Sequence, residues 1–347
     1  MTFDITSYVR SHLLKLKPYR SAREEYADKG REMILLDANE NPYSSEINRY
    51  PDPMQSLLKE RLAAWKKVAV NQIYLSNGSD EFISQIIIGC CEPGKDHIII
   101  VPPTFGMYKV SARTYGVNVN EVPLIENFQL DVETILNNTK PESKLIFIPT
   151  PNNPTGNSFN LEDIEAVIKG FSGLVVVDEA YVEFSKIPSI ISWLSKYPNL
   201  IICQTFSKAQ GMAGARLGMA FAHHDIISFL NRIKSPYNIN SLSIKAALKR
   251  IEEQDDVNNQ VAILLSERNK IEQTLSDINF VSKCFSSDAN FLLVKFDDSY
   301  LRYKQLLKYG VVVRNSSNNI GCENTLRISV GLPEENDKLI SILRTME

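Results

Sequence analysis

Four short runs in the middle of this 347-residue chain are apolar at consecutive positions: HIIIV at 97–101, KLIFI at 144–148, GLVVV at 173–177 and LIICQ at 199–203. A strand with one wet face alternates apolar and polar side chains, whereas a strand without that alternation is covered on both faces. The intervals LEDIEAVIKG at 161–170 and the stretch around 187–196 predict helices that can supply such covers. Strands and helices in this succession point to a mostly parallel sheet in a three-layer α/β domain.

After about residue 240 the rhythm changes. Residues 241–278 predict long helices, followed by a strand at 290–296 (NFLLVKF), a helix at 299–309, strands in VVVR at 311–314 and TLRISV at 325–330, and a last helix in DKLISILRTM. This predicts a smaller α/β domain over 241–347 and a large domain over 36–240. Residues 1–35 read as an arm that contributes to the smaller domain. The Asn-rich pieces NVNEV, NNTK and RNSSNN read as turns or loops.

Composition narrows the function. Hydrophobic residues are 44% of the chain, enough for more than one core. Lys and Arg number 38 against 41 Asp and Glu, a net charge of -3 with no basic stripe, so nucleic acid is not the expected partner. No apolar run is long enough to span a bilayer, and MTFDITSYVRSHLLKLKPYR has scattered charges where a secretory signal has an apolar core. Cys90, Cys91, Cys203, Cys284 and Cys322 show no repeated pair spacing and read as packing residues of a cytoplasmic protein. Of the four histidines, His12, His97, His223 and His224, the adjacent pair has no matching carboxylate or cysteine constellation. It reads as a surface pair or helix cap, and no metal is expected.

The chemistry-bearing residues gather at strand ends. After LIICQ comes TFSKAQGMAGARLG, 205–218. Its lysine, Lys208, can approach an aldehyde, while Thr205, Ser207 and the forked Arg216 suit phosphate oxygens. Gly218 and its neighbouring glycines permit close backbone approach. By itself the segment is equally a turn with surface charges. VVVDEAYVEF sets Asp178 at the end of an apolar strand, where a carboxylate can partner a protonated ring nitrogen. Tyr181 can return to donate to an oxygen; the plainer alternative is a strand-end cap and a packed aromatic. PTPNNPTG, 149–156, offers Asn153 as a donor to a ring oxygen. SNGSDEFISQII, 76–87, places Gly78, Ser79 and Asp80 at a helix start whose free N–H groups can surround a phosphate. Asp80 suits the helix dipole but repels a phosphate if it turns inward, so the backbone and Ser79 carry that role. Tyr108 in TFGMYK can stack on a flat cofactor or pack in the core.

In this order, PNNPTG, VVVDEAY and TFSKAQGMAGAR resemble the ring-oxygen loop, pyridine-binding aspartate and Schiff-base/phosphate segment of fold-type I pyridoxal 5'-phosphate aminotransferases. The resemblance implies that fold, with a mostly parallel central sheet and a smaller α/β domain. It implies a covalent link from Lys208 to the cofactor, Asp178 on the pyridine nitrogen, and Asn153 and Tyr181 on the ring oxygen. Ser207, Thr205, Arg216 and the Gly78–Asp80 segment then serve the phosphate. LKPYRSAR (16–23), LDANENPY (36–43), RYPDP (49–53) and VVVRNSSNNIGCENTLRISVG (311–331) are similar to landmarks of the histidinol-phosphate aminotransferase family. That likeness implies a homodimer, joined partly by the arm, in which Tyr50 reaches the partner's cofactor phosphate. It also implies Tyr19 as a substrate gate, with Arg314 and Arg327, beside Asn153, at the substrate's phosphate and carboxylate. The implied reaction moves an amino group between L-histidinol phosphate and 2-oxoglutarate in histidine biosynthesis, forming imidazole-acetol phosphate and L-glutamate. Aromatic-amino-acid aminotransferases and threonine-phosphate decarboxylases share the cofactor apparatus and stay open at this point.

Overall fold

The computed structural model describes residues 3–18 and 33–346. Its larger sheet contains β1 (Ile73–Ser76), β2 (His97–Ile100), β3 (Asn118–Glu121), β4 (Ser143–Pro149), β5 (Leu174–Asp178), β6 (Leu200–Thr205) and β7 (Gly218–Ala222). Their spatial order is β1-β7-β6-β5-β4-β2-β3. Neighbours from β3 through β6 are parallel, while β7 runs antiparallel to both β6 and β1.

The missing polar alternation has the expected cause. Along β5, Val175 and Val177 enter one core while Leu174 and Val176 enter another. The first core is closed by Leu58 and Leu62 of helix Ser56–Lys66 and by Ile164, Val167 and Ile168 of helix Leu161–Gly170. Across the sheet, helices Ser79–Cys90, Met107–Thr114 and His224–Ile233 present Phe82, Ile86, Tyr108, Ile226 and Leu230. Each fully buried Val, Leu, Ile or Phe adds roughly 1.5–3 kcal/mol over its exposed state. The strands are thus anchored between two buried cores.

Several local expectations change. NVNEV is not a turn: Asn118–Glu121 is β3, pairing in parallel with β2. It is polar because it lies at the sheet edge and is largely uncovered. The region around 187–196 forms a 3-10 helix, Ile191–Ser195, in place of an α-helix. The described part of the arm, residues 3–18, packs against the large domain. Phe3, Ile5, Tyr8 and Val9 join the core beside helix Ser79–Cys90, and Arg10 pairs with Glu92 at 3.1 Å.

The second sheet comprises β8 (Val281–Cys284), β9 (Phe291–Phe296), β10 (Arg314–Asn315) and β11 (Thr325–Ser329), in the order β10-β11-β9-β8 and antiparallel throughout. VVVR contributes only its arginine to a strand, and Val312 stays 80% exposed beside the sheet edge. Helices Gln254–Leu275 and Pro333–Thr345 pack against this sheet. Tyr181, Phe184 and Ala209 meet Val257, Val261, Ala289 and Phe291 in a core that joins the two sheets. That junction brings β11 over the ends of β5 and β6.

Candidate active site

The parallel strands end at one edge of the large sheet, and the segments leaving β2, β4, β5 and β6 converge there on a cavity of about 660 Å³. Ligands of open α/β sheets bind at this carboxyl edge because the loops are free to vary above a rigid platform.

Asp178 closes β5 at the cavity wall with 5% of its surface exposed. Its Oδ2 accepts from the Tyr108 hydroxyl at 2.7 Å, and its Oδ1 accepts from the Ala180 N–H at 3.1 Å. Burial pushes the carboxyl up to about 6, against the pull of those two hydrogen bonds. Among the described residues both of its hydrogen-bond donors are neutral, so a cationic N–H in the cavity would suit it.

Lys208 follows β6 and points its Nζ toward the ring of Tyr181, 5.4 Å from the centroid. Burial, with Arg327 nearby, holds its ammonium below the ordinary lysine value, while Asp178 and Asp80 oppose that shift. An amine depressed in this way is a better nucleophile and base. Burial raises the Tyr181 phenol to about 12, so it remains a donor.

A second cluster lies at the start of helix Ser79–Cys90. Gly78 caps that helix with φ +80°, and a Cβ there would stand 2.5 Å from Arg216 Nη2. Arg216 Nη2 bonds Asp80 Oδ2 at 3.2 Å, so the feared acidic side chain is already paired with the cation. Thr205 Oγ1 donates to Ser207 Oγ at 3.0 Å, and both residues line the cavity with Ser79. Backbone N–H groups, hydroxyls and a guanidinium together form an oxyanion-binding set.

The smaller sheet supplies the opposite wall. Arg314 and Arg327 are register partners across β10 and β11, and both line the cavity. Arg327 donates to Asn153 Oδ1 and lies 5.3 Å over the Phe291 ring. Directly opposed like charges destabilise a sheet, so this pair favours an anionic occupant.

The structure therefore brings Ser79, Asp80, Tyr108, Asn153, Asp178, Tyr181 and Lys208 to one cavity with Thr205, Ser207, Arg216 and both small-sheet arginines. Tyr108 is placed differently from a stacking residue. It is fully buried and stacks on Phe147 at 4.7 Å, so its ring belongs to the core and its hydroxyl to Asp178. Phe105, set edge-on to Tyr108, is a second cavity-lining aromatic, which the motif PTFGMY held unread. Thr104 beside it carries a buried Oγ1 with no hydrogen-bond partner. Ser316 and Asn319, hidden in the loop RNSSNN, also line the cavity. Tyr50 lies elsewhere, stacked on Tyr237 at 4.4 Å beside a separate cavity of about 520 Å³. Tyr19 falls outside the described residues. At the histidine pair the expectation needs correction, because Asp225 supplies a carboxylate and the three groups place ligand atoms within 4.8 Å. They occupy a helix N-terminus, where His223 Nδ1 accepts from the Asp225 N–H. The positive end of the helix dipole works against a cation there.

The family model for aminotransferase class I and II matches residues 25–343. The chain belongs to the class I and II aminotransferases. Pyridoxal 5'-phosphate is the cofactor of this family, and the fold is fold-type I. A histidinol-phosphate aminotransferase of Flavobacterium psychrophilum is 48% identical to this aminotransferase over 344 residues, 99% of each chain. The solved histidinol-phosphate aminotransferase of Clostridium acetobutylicum superposes with a TM-score of 0.80 at 26% identity, covering 87% of this chain and 91% of that one. That of Sinorhizobium meliloti, solved with pyridoxal 5'-phosphate, has a TM-score of 0.79 at 23% identity over 88% and 85% of the two chains, a likeness of fold. The residues of this aminotransferase fit the cofactor: an oxyanion-binding set at one end, an amine, and a buried carboxylate whose hydrogen-bond donors, among the described residues, are neutral. No described helix is long and apolar enough to cross a membrane.

Proposed function

We propose that this chain transfers an amino group reversibly between L-histidinol phosphate and 2-oxoglutarate, forming imidazole-acetol phosphate and L-glutamate. The observation that carries this substrate choice is the cross-strand pair Arg314 and Arg327 facing a cavity that already holds a separate oxyanion set at Arg216. A reaction that alternates a phosphate-bearing amine with a dicarboxylate needs a second anion site, and two guanidinium forks serve either oxyanion. Full-length relatives named for this activity support the same reading.

When bound, pyridoxal 5'-phosphate supplies an aldehyde and an electron-withdrawing ring that stabilises negative charge at the substrate's amino-bearing carbon. Ser79, Thr205, Ser207 and Arg216 would hold its phosphate, with Gly78 and Asp80 shaping the helix start and orienting Arg216. Asp178 would hold its ring nitrogen, Asn153 and Tyr181 its ring oxygen, and Phe105 its face. Lys208 Nζ would carry the covalent attachment, then as a free amine take the proton from the substrate carbon and return it to the cofactor carbon. Arg327, steadied by Asn153, would orient the carboxylate of glutamate, and Arg314 the phosphate of histidinol phosphate. Tyr19 would gate the substrate. The reading includes a cytoplasmic homodimer with Tyr50 acting across its interface; all five cysteines are free thiols.

Paired substrate and product analysis of the cofactor-loaded protein tests this. Histidinol phosphate with 2-oxoglutarate should yield glutamate faster than phenylalanine does. Carbon dioxide released from threonine phosphate, with no glutamate from histidinol phosphate, would reject the proposal in favour of a decarboxylase.

A further inference from the structure

Beside Asp178, at the buried margin of the cavity, stands a hydroxyl that packing does not require. Tyr108, on helix Met107–Thr114, stacks on Phe147 with ring planes at 17°. A phenylalanine would make the same stack. The phenolic oxygen instead lies 2.7 Å from Asp178 Oδ2, while the Ala180 N–H takes Oδ1. One donor on each oxygen fixes the rotation of the carboxyl group. A carboxylate has about four lone-pair directions, so acceptor capacity remains where Asp178 lines the cavity.

We propose that Tyr108 is a positioning residue for amino transfer, its hydroxyl fixing the Asp178 carboxylate as the acceptor for the cofactor's ring nitrogen. The inference rests on the aminotransferase reading and deepens it. A hydroxyl bonded to an anion contributes more than one bonded to a neutral group, and here the bond also opposes the largest force on Asp178. Burial and the charge of Asp80, on helix Ser79–Cys90, favour the neutral carboxyl; Tyr108, Ala180 and Lys208 favour the anion. Tyr181 and Cys203 complete the titratable surroundings; burial raises both, leaving them uncharged in the working range. Tyr108 itself stays a donor there, because burial first and then Asp178 drive its phenol well above the ordinary value.

The test is Tyr108→Phe in the cofactor-loaded enzyme and in the apo-protein. Losing a hydrogen bond to a charged group should weaken pyridoxal 5'-phosphate binding about tenfold. The acid limb of kcat/KM should move up by about one pH unit. In the apo-protein, the Asp178 carboxyl, followed by carbon NMR after aspartate labelling, should titrate at correspondingly higher pH. Fluorotyrosine at position 108, a stronger donor of nearly the same shape, should move both readouts the other way, and it serves where Tyr108→Phe does not fold. Unchanged affinity, acid limb and carboxyl titration, in a protein whose wild type carries cofactor on Lys208, overturn the positioning role and leave the aminotransferase reading standing. A drop in melting temperature without movement of the limb overturns it equally. Wild-type protein that binds no pyridoxal 5'-phosphate overturns both.

Discussion

Asp178 has neutral hydrogen-bond donors on both oxygens and almost no solvent, so its ionised form is strained until a cation arrives. Its carboxyl titrates at about 6 in the folded chain against an ordinary value of 3.8. A raised carboxyl destabilises the apo-fold as pH climbs through that window: the folded state prefers the proton that the unfolded state has already lost. The penalty is absent below about pH 4, complete above about pH 7, and on the order of 2–3 kcal/mol. Asp178→Asn should therefore melt higher than wild type as an apo-protein at pH 7, converge with it near pH 4, and lose most turnover. Equal melts across that range would remove this account of the carboxylate. Lys208→Ala should keep noncovalent cofactor binding while turnover falls by about 10²–10⁴-fold, the usual contribution of a positioned acid–base group. Borohydride reduction and peptide mapping should place the wild-type cofactor on Lys208; attachment solely at another lysine would refute the assignment. At this scale the sequence was most readable where a motif ties residue type to chemistry, as in DEAY and SKAQGMAGAR. It was least readable for Thr104, Phe105, Ser316 and Asn319, ordinary loop residues whose importance comes only from what the fold sets beside them.

Among elements, the strands were legible in proportion to how deeply they are buried. β2, β4, β5 and β6 lie in the sheet interior, and their unbroken apolar runs announce two covered faces. Helix Leu161–Gly170 was also legible, because Ile164, Val167 and Ile168 repeat at helical spacing against that sheet. β3 was hidden by its polar edge position. β1 and β7 were hidden by brevity and, in Gly218–Ala222, by small residues that pack closely without an apolar signature. Gly218 shows what that smallness does. A Cβ there would lie 2.5 Å from the Ser79 backbone nitrogen and 2.6 Å from the Gly78 carbonyl carbon, so any side chain must push β7 away from the start of helix Ser79–Cys90. Gly218→Ala should lower stability by about 1–3 kcal/mol, the range for overpacking a tight site. It should also weaken pyridoxal 5'-phosphate binding more than it weakens binding of the cofactor lacking its phosphate. Melting curves and paired titrations check both; equal losses for the two cofactor forms would mean that the phosphate cradle is not what moved.

For the whole molecule, the site as described is built from two sheets but leaves Tyr50 stranded. Arg327 bonded to Asn153, and the mixed core at Tyr181 and Phe291, couple the small sheet to the strand ends of the large one. Tyr50 instead stacks on Tyr237 at a separate cavity, beside Ile47 and Leu242, which are each more than half exposed. Exposed apolar side chains beside that cavity suit a two-fold contact with a second copy, and the likeness to histidinol-phosphate aminotransferases implies that Tyr50 reaches the partner's cofactor phosphate. A dimer mixed from Tyr50→Phe and Lys208→Ala subunits separates this arrangement from action within one subunit. If Tyr50 crosses the interface, the Tyr50→Phe subunit's intact Lys208 receives a wild-type Tyr50 from its neighbour, and both defects fall in the other site. One site should then bind pyridoxal 5'-phosphate with wild-type affinity, and the mixed dimer should show about half of wild-type activity, provided positioning by one phenol acts site by site. If Tyr50 serves its own subunit, the sole lysine-bearing site lacks the phenol. The mixed dimer then shows half the activity and the weakened affinity of the Tyr50→Phe homodimer. Full activity and full cofactor occupancy in verified monomers would rule out the crossing altogether.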